Sequence, residues 1–211
     1  ALAAIGAEGV EDDLRRYATP TCPHVNLGGT CELALATLQN KPTDNLPPCA
    51  CQYTTRDPAV GRPGATAEDI PQLGEELMQA DQKLYERYVA MFSLRNLGGP
   101  AAAGALARAL VEDQSSAVLR HEVAFVLAQL EEECSVPTLA RCLSNTAEDG
   151  MVRHEAAIAL GTIGSTEAQK VLREWVGDED VMVAESCQVA LDTVAYWQHW
   201  EEVEARVAAQ E

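Results

Sequence analysis

From residue 86 onward the chain repeats itself every 33 residues, and a repeat of that length leaves few folds open. Arg87-Tyr88-Val89-Ala90-Met91-Phe92-Ser93-Leu94 aligns with Arg120-His121-Glu122-Val123-Ala124-Phe125-Val126-Leu127, and the next unit starts 33 residues later at Arg153. A fourth copy, Val183-Ala184-Glu185-Ser186-Cys187-Gln188-Val189-Ala190-Leu191, follows at a shift of 31. Between the copies lie partner segments at 99–111, 135–143 and 166–176. Gly98-Gly99, Asn145, Gly164 and Gly177-Asp178 separate them, residue types that stop helices and make turns. Apolar residues recur at helical spacing, as in Leu160 and Ile163 or Val171, Leu172 and Trp175. Helical hairpins of this size cannot bury their apolar faces alone and must stack. The predicted fold is all-α, a solenoid of stacked α-hairpins.

Composition agrees. The chain is 47% hydrophobic but only 5% aromatic, which suits close helix packing better than a β-sandwich. Its net charge of −18 disfavours a nucleic-acid partner, which needs a basic footprint, and favours a basic one. No run of 18 apolar residues suggests a membrane span, and Ala1-Leu2-Ala3-Ala4-Ile5-Gly6 lacks the basic region of a signal peptide. Seven cysteines, an odd number, point to reduced thiols and a cytoplasmic protein. Cys134, Cys142 and Cys187 fall in helical stretches, where small apolar residues would sit.

The first 40 residues echo the end of the chain. Ala1–Gly6 and Leu14-Arg15-Arg16-Tyr17 match residues 159–164 and 172–175 at a shift of 158, and Thr30-Cys31-Glu32-Leu33-Ala34-Leu35 matches 186–191 at 156. Two related halves follow: residues 1–40 as the end of an N-terminal half, a Pro/Gly-rich linker at 41–65, and a C-terminal half at 66–211. Pro42, Pro47, Pro48, Pro58 and Pro63 exclude a regular helix in the linker. Helix resumes at Thr66, which is spaced from Asp69 as a capping pair. The alignment places further His-Glu pairs just upstream of Ala1, the expectation for a piece of a longer protein.

The chemistry lies in Arg120-His121-Glu122 and Arg153-His154-Glu155. Successive repeats put equivalent positions side by side, at the roughly 10 Å of packed helices, so the two imidazoles can reach one ion. Both pairs follow candidate caps, Ser115 or Ser116 and Asp149. A positive helix N-terminus there disfavours imidazolium and keeps the rings in the ligating form. Mixed nitrogen and oxygen ligands suit iron, and two histidines with a carboxylate leave positions open. The bland alternative is a pair of contacts that stabilise stacking. Tyr88-Val89 and Glu185-Ser186 occupy the same place in the flanking units, so folding does not need His-Glu. Phe125 and Ile158 stand four residues after the histidines, which excludes H-E-x-x-H. Cys22-x-His24 with Cys49-x-Cys51 is a weaker candidate for zinc, and His199, between tryptophans, is expected to pack.

These repeats, the paired R-H-E motifs, the Pro-rich linker and the segment Tyr85-Glu86-Arg87-Tyr88-x-Ala90-Met91-Phe92-x-Leu94-Arg95-Asn96 resemble deoxyhypusine hydroxylases, HEAT-like monooxygenases. Asp57-Pro58-Ala59 and Thr30-Cys31-Glu32-Leu33-Ala34 fit the same family. The resemblance implies HEAT-like repeats and a di-iron centre built by four His-Glu motifs, two from each half. It implies use of dioxygen to hydroxylate deoxyhypusine on a translation factor. By the same resemblance His121, His154 and Glu155 ligate one iron, and Glu122 holds the substrate amine or ligates directly. About half the ligands of two irons lie in this chain, so it is expected to be inactive alone. The rival readings are a non-catalytic HEAT-like protein-binding scaffold, a HEAT-like bilin lyase, which would not need repeated His-Glu pairs, and a degenerate hydroxylase.

Overall fold

A computed structural model describes residues 9–19, 21–40 and 57–208. Every regular element among them is helical. The helices are α1 (Val10–Tyr17), α2 (Val25–Gln39), α3 (Ile70–Met78), α4 (Leu84–Leu97), α5 (Gly99–Glu112), α6 (Ala117–Leu130), α7 (Val136–Ser144), α8 (Gly150–Ile163), α9 (Thr166–Trp175) and α10 (Val181–Ala208). The three partner segments read from the sequence begin and end within one residue of α5, α7 and α9. The Ala1–Gly6 match, Pro42, Pro47, Pro48, Cys49 and Cys51 lie outside the described residues.

Local chemistry sets the helix ends. Pro71, Pro100 and Pro137 fall in the first turns of α3, α5 and α7, where a missing N–H costs nothing. Thr66 and Asp69 form the expected capping box. Ser116 Oγ accepts from the Leu119 N–H at 3.2 Å and Asp149 Oδ1 from the Met151 N–H at 3.0 Å. These caps fix where α6 and α8 begin. α4 stops at Gly98, whose φ of 68° and ψ of −174° exclude a side chain.

From α3 on, the chain alternates between two layers. α4, α6, α8 and α10 lie side by side in one, and α3, α5, α7 and α9 in the other. The core fills the space between, with Leu77, Met91, Leu106, Leu127, Leu139 and Leu160 fully buried. The arginine that heads each repeat points to the loops. Arg87 donates to the Leu77 carbonyl, Ser115 and Asp113; Arg120 forks onto Glu148 at 2.8 and 2.7 Å; Arg153 donates to the Leu143 carbonyl and Asp178.

α1 and α2 form a smaller hairpin over Val10, Leu14 and Cys31, and α2 packs against α4 and α6. The described end of the linker is docked on the repeats. Asp57 pairs with buried Arg95, the Pro58 carbonyl accepts from Thr37 at 2.7 Å, and Ala59 is buried.

Two expectations need correction. His199 is exposed, because α10 runs beyond the last hairpin that could cover it. Cys134 is also exposed, in a one-turn 3-10 helix (Glu133–Ser135) that precedes α7; Cys142 and Cys187 are buried as expected.

Candidate metal centre

His121 is the fifth residue of α6 and His154 the fifth of α8. These helices pack directly against each other, so the 33-residue spacing becomes adjacency. The imidazole rings stack with centroids 6.1 Å apart and planes 26° apart. Glu155 Oε2 lies 3.2 Å from His121 Nε2 and 3.5 Å from His154 Nε2. The three ligand atoms all fall within 4.8 Å of one another. Glu155 is 7% exposed and the two histidines 27% and 26%, so the carboxylate forms the floor and the rings form a rim open to solvent.

Among the described residues Glu155 finds no arginine or lysine, only the two imidazoles. A carboxylate buried this deeply calls for a cation beside it. The nearer of the two imidazoles is His121, at 3.2 Å. Burial alone would push its pKa down, but the hydrogen bond to Glu155 and the charges of Glu155, Glu122 and Asp149 outweigh it, and the ring titrates above its ordinary value. This reverses the expected influence of the helix N-terminus: acidic neighbours act at closer range than the helix dipole. Two imidazole nitrogens and a carboxylate oxygen converging here match the donor set of a non-haem iron site with open positions. To bind a metal, His121 Nε2 must be unprotonated.

The cluster does not include Glu122. Its side chain makes no hydrogen bond or ion pair with the described residues. Burial raises its pKa; nearby His121 opposes this, while Glu155 and Asp57 add to it. Cys22 and His24 join no such group among the described residues.

The flanking units carry other residues at the His-Glu positions. Tyr88, one repeat before His121, is fully buried and donates to the Val118 carbonyl at 3.2 Å. One repeat after Glu155 stands Ser186, with Oγ 2.8 Å from His154 Nδ1. The sequence reading set Ser186 at the glutamate position of its unit but gave it no part in the site. Phe125 and Ile158, one turn beyond each histidine, are large apolar side chains left partly exposed.

Comparison with known proteins adds to this geometry. A HEAT-repeat family profile matches residues 106–192, and a PBS lyase HEAT-like repeat matches residues 86–112. The chain is 45% identical over 199 residues to the deoxyhypusine hydroxylase of Rattus norvegicus, covering 93% of this chain and 63% of that protein. It is 42% identical to the Homo sapiens deoxyhypusine hydroxylase over 192 residues, 91% of this chain and 61% of that one. The solved structure of human deoxyhypusine hydroxylase in complex with glycerol superposes with a TM-score of 0.81 at 39% identity, covering 92% of this chain and 65% of that chain. The chain thus spans under two thirds of the curated relatives it matches. The resemblance read from its motifs holds along nearly all of its length, and the repeats are HEAT repeats.

Proposed function

We propose that this chain carries one iron site of a deoxyhypusine hydroxylase, an iron-dependent monooxygenase acting on a deoxyhypusine-bearing translation factor. The observation that carries this reading is the convergence of His121 and His154 on the buried Glu155 carboxylate, which meets no lysine or arginine among the described residues. Paired contacts could be made from apolar residues at lower desolvation cost.

Each residue has a part. His121, His154 and Glu155 hold the metal, with the stacked rings facing solvent and leaving positions open. Iron held there would activate dioxygen, so that one oxygen atom enters a substrate C–H bond and the other leaves as water with two electrons and two protons from an external reductant. Glu122 takes the substrate amine. It is half-buried and makes no hydrogen bond or ion pair with the described residues, and a cation arriving there relieves its repulsion with Glu155 and Asp57. The net charge of −18 draws a basic substrate from a distance. In this reading residues 66–211 form the second half of the enzyme, residues 1–40 close the first, and the protein acts in the cytoplasm. A complete protein holds two irons and this chain about half of their ligands. No helix among the described residues is long and apolar enough to cross a membrane.

The test joins this chain to the part of a curated relative it does not cover and follows conversion of deoxyhypusine to hypusine on a protein substrate. The joined protein is expected to turn over, and His121→Ala and His154→Ala each to abolish turnover while retaining helical content. Activity that survives either substitution overturns the reading.

A further inference from the structure

We propose that Ser186 is a positioning residue that fixes His154 in the tautomer protonated on Nδ1, turning the Nε2 lone pair toward Glu155. The consequence for metal binding rests on the iron reading above; the tautomer itself does not. The argument follows one proton. Ser186 Oγ lies 2.6 Å from the Met182 carbonyl, which can only accept, so the hydroxyl proton is committed there. The same oxygen lies 2.8 Å from His154 Nδ1. With its proton engaged, Oγ can only accept, and Nδ1 must donate. In the neutral ring Nε2, 3.5 Å from Glu155 Oε2, is then left as a bare lone pair.

The repeat explains why a serine stands here. Each histidine meets the residue at the glutamate position of the next unit. For His121 that residue is Glu155, 3.2 Å away; for His154 it is Ser186, 31 residues after Glu155. A glutamate at position 186 would place a second carboxylate on His154. The serine instead spends its hydrogen bond on orientation. Thr30, at the matching place in the first 40 residues, makes the same bond to the carbonyl four residues back, Asn26, at 2.8 Å, so threonine suits this geometry too. Hydrogen bonds to the distal nitrogen of a ligating histidine commonly change metal affinity 10–100-fold.

The test compares metal-free wild type, Ser186→Ala and Ser186→Thr. The tautomer is read from two-bond proton–nitrogen NMR couplings of the imidazoles at a pH where His154 is neutral. Anaerobic Fe(II) titration gives affinity, and Co(II) absorption reports ligand geometry. Wild type is expected to show His154 protonated on Nδ1. Ser186→Ala should shift the ring toward the Nε2-protonated form and weaken Fe(II) binding roughly 10-fold or more. Ser186→Thr should restore both. The tautomer of wild type decides the matter even if the alanine variant fails to fold: protonation on Nε2 overturns the proposal. So does an alanine variant with an unchanged tautomer. A wild-type chain protonated on Nδ1 that binds neither metal supports the role of Ser186 and faults the iron reading instead.

Discussion

Arg87 and Asp113 form a pair in which each side chain is 2% exposed, at 2.6 Å. Removing one member leaves the other charged, buried and alone, which costs about 3–5 kcal/mol. Asp113→Ala is therefore expected to lower the unfolding free energy by that amount in a denaturant titration. Burial would raise the Asp113 pKa, but hydrogen bonds from Ser115 and Arg87 outweigh it, and the carboxyl titrates below its ordinary value. A depressed folded-state pKa gives stability that is complete above the unfolded value and lost as pH falls through the folded one. The stability gap between wild type and Asp113→Asn should thus hold above about pH 4 and shrink below it. The same residues mark a limit of sequence reading. Arg-His-Glu reads as one motif, yet its arginine serves a loop and its histidine the candidate centre. The acidic partners of Arg87, Arg120 and Arg153 lie 26, 28 and 25 residues onward, an offset too irregular to stand out from the repeat.

At the scale of elements, the contact between α8 and α10 governs how close Ser186 comes to His154. Gly161 makes that approach possible. A Cβ there would lie 2.5 Å from Ala190 Cβ and 2.9 Å from Ala190 Cα, on the backbone of α10. Glycine to alanine inside a helix usually gains about 0.5–1 kcal/mol. Here overpacking of about 1–3 kcal/mol opposes that gain and wins. Gly161→Ala is expected to destabilise the fold by thermal denaturation, with Fe(II) affinity falling in parallel as α10 is pushed from α8. Helix extents were legible because periodicity, turn residues and caps agree on them. The exposed reach of α10 was not, because its apolar residues continue past the described hairpins: Tyr196, Trp197 and Trp200 touch one another but are all exposed. The histidines were legible as neighbours because a solenoid converts sequence period into distance. The upward shift of His121 was not, since it depends on Glu155 and Asp149 from the next helix as well as on adjacent Glu122.

For the whole molecule, two properties bear on function: the excess of negative charge and the single cluster of ligand atoms among the described residues. The first predicts that association with a basic protein substrate slows as ionic strength rises from about 0.01 to 0.15 M, as the screening length contracts from about 30 to 8 Å. A stopped-flow salt series checks this, and salt-independent rates speak against electrostatic capture. The second is the central claim, and anaerobic Fe(II) titration of the 211-residue chain, with bound metal counted after desalting, tests it most directly. The expected result is one iron per chain, lost in both His154→Ala and Glu155→Gln and kept in Tyr88→Phe. Equal iron in wild type and His154→Ala, or none in either, contradicts it.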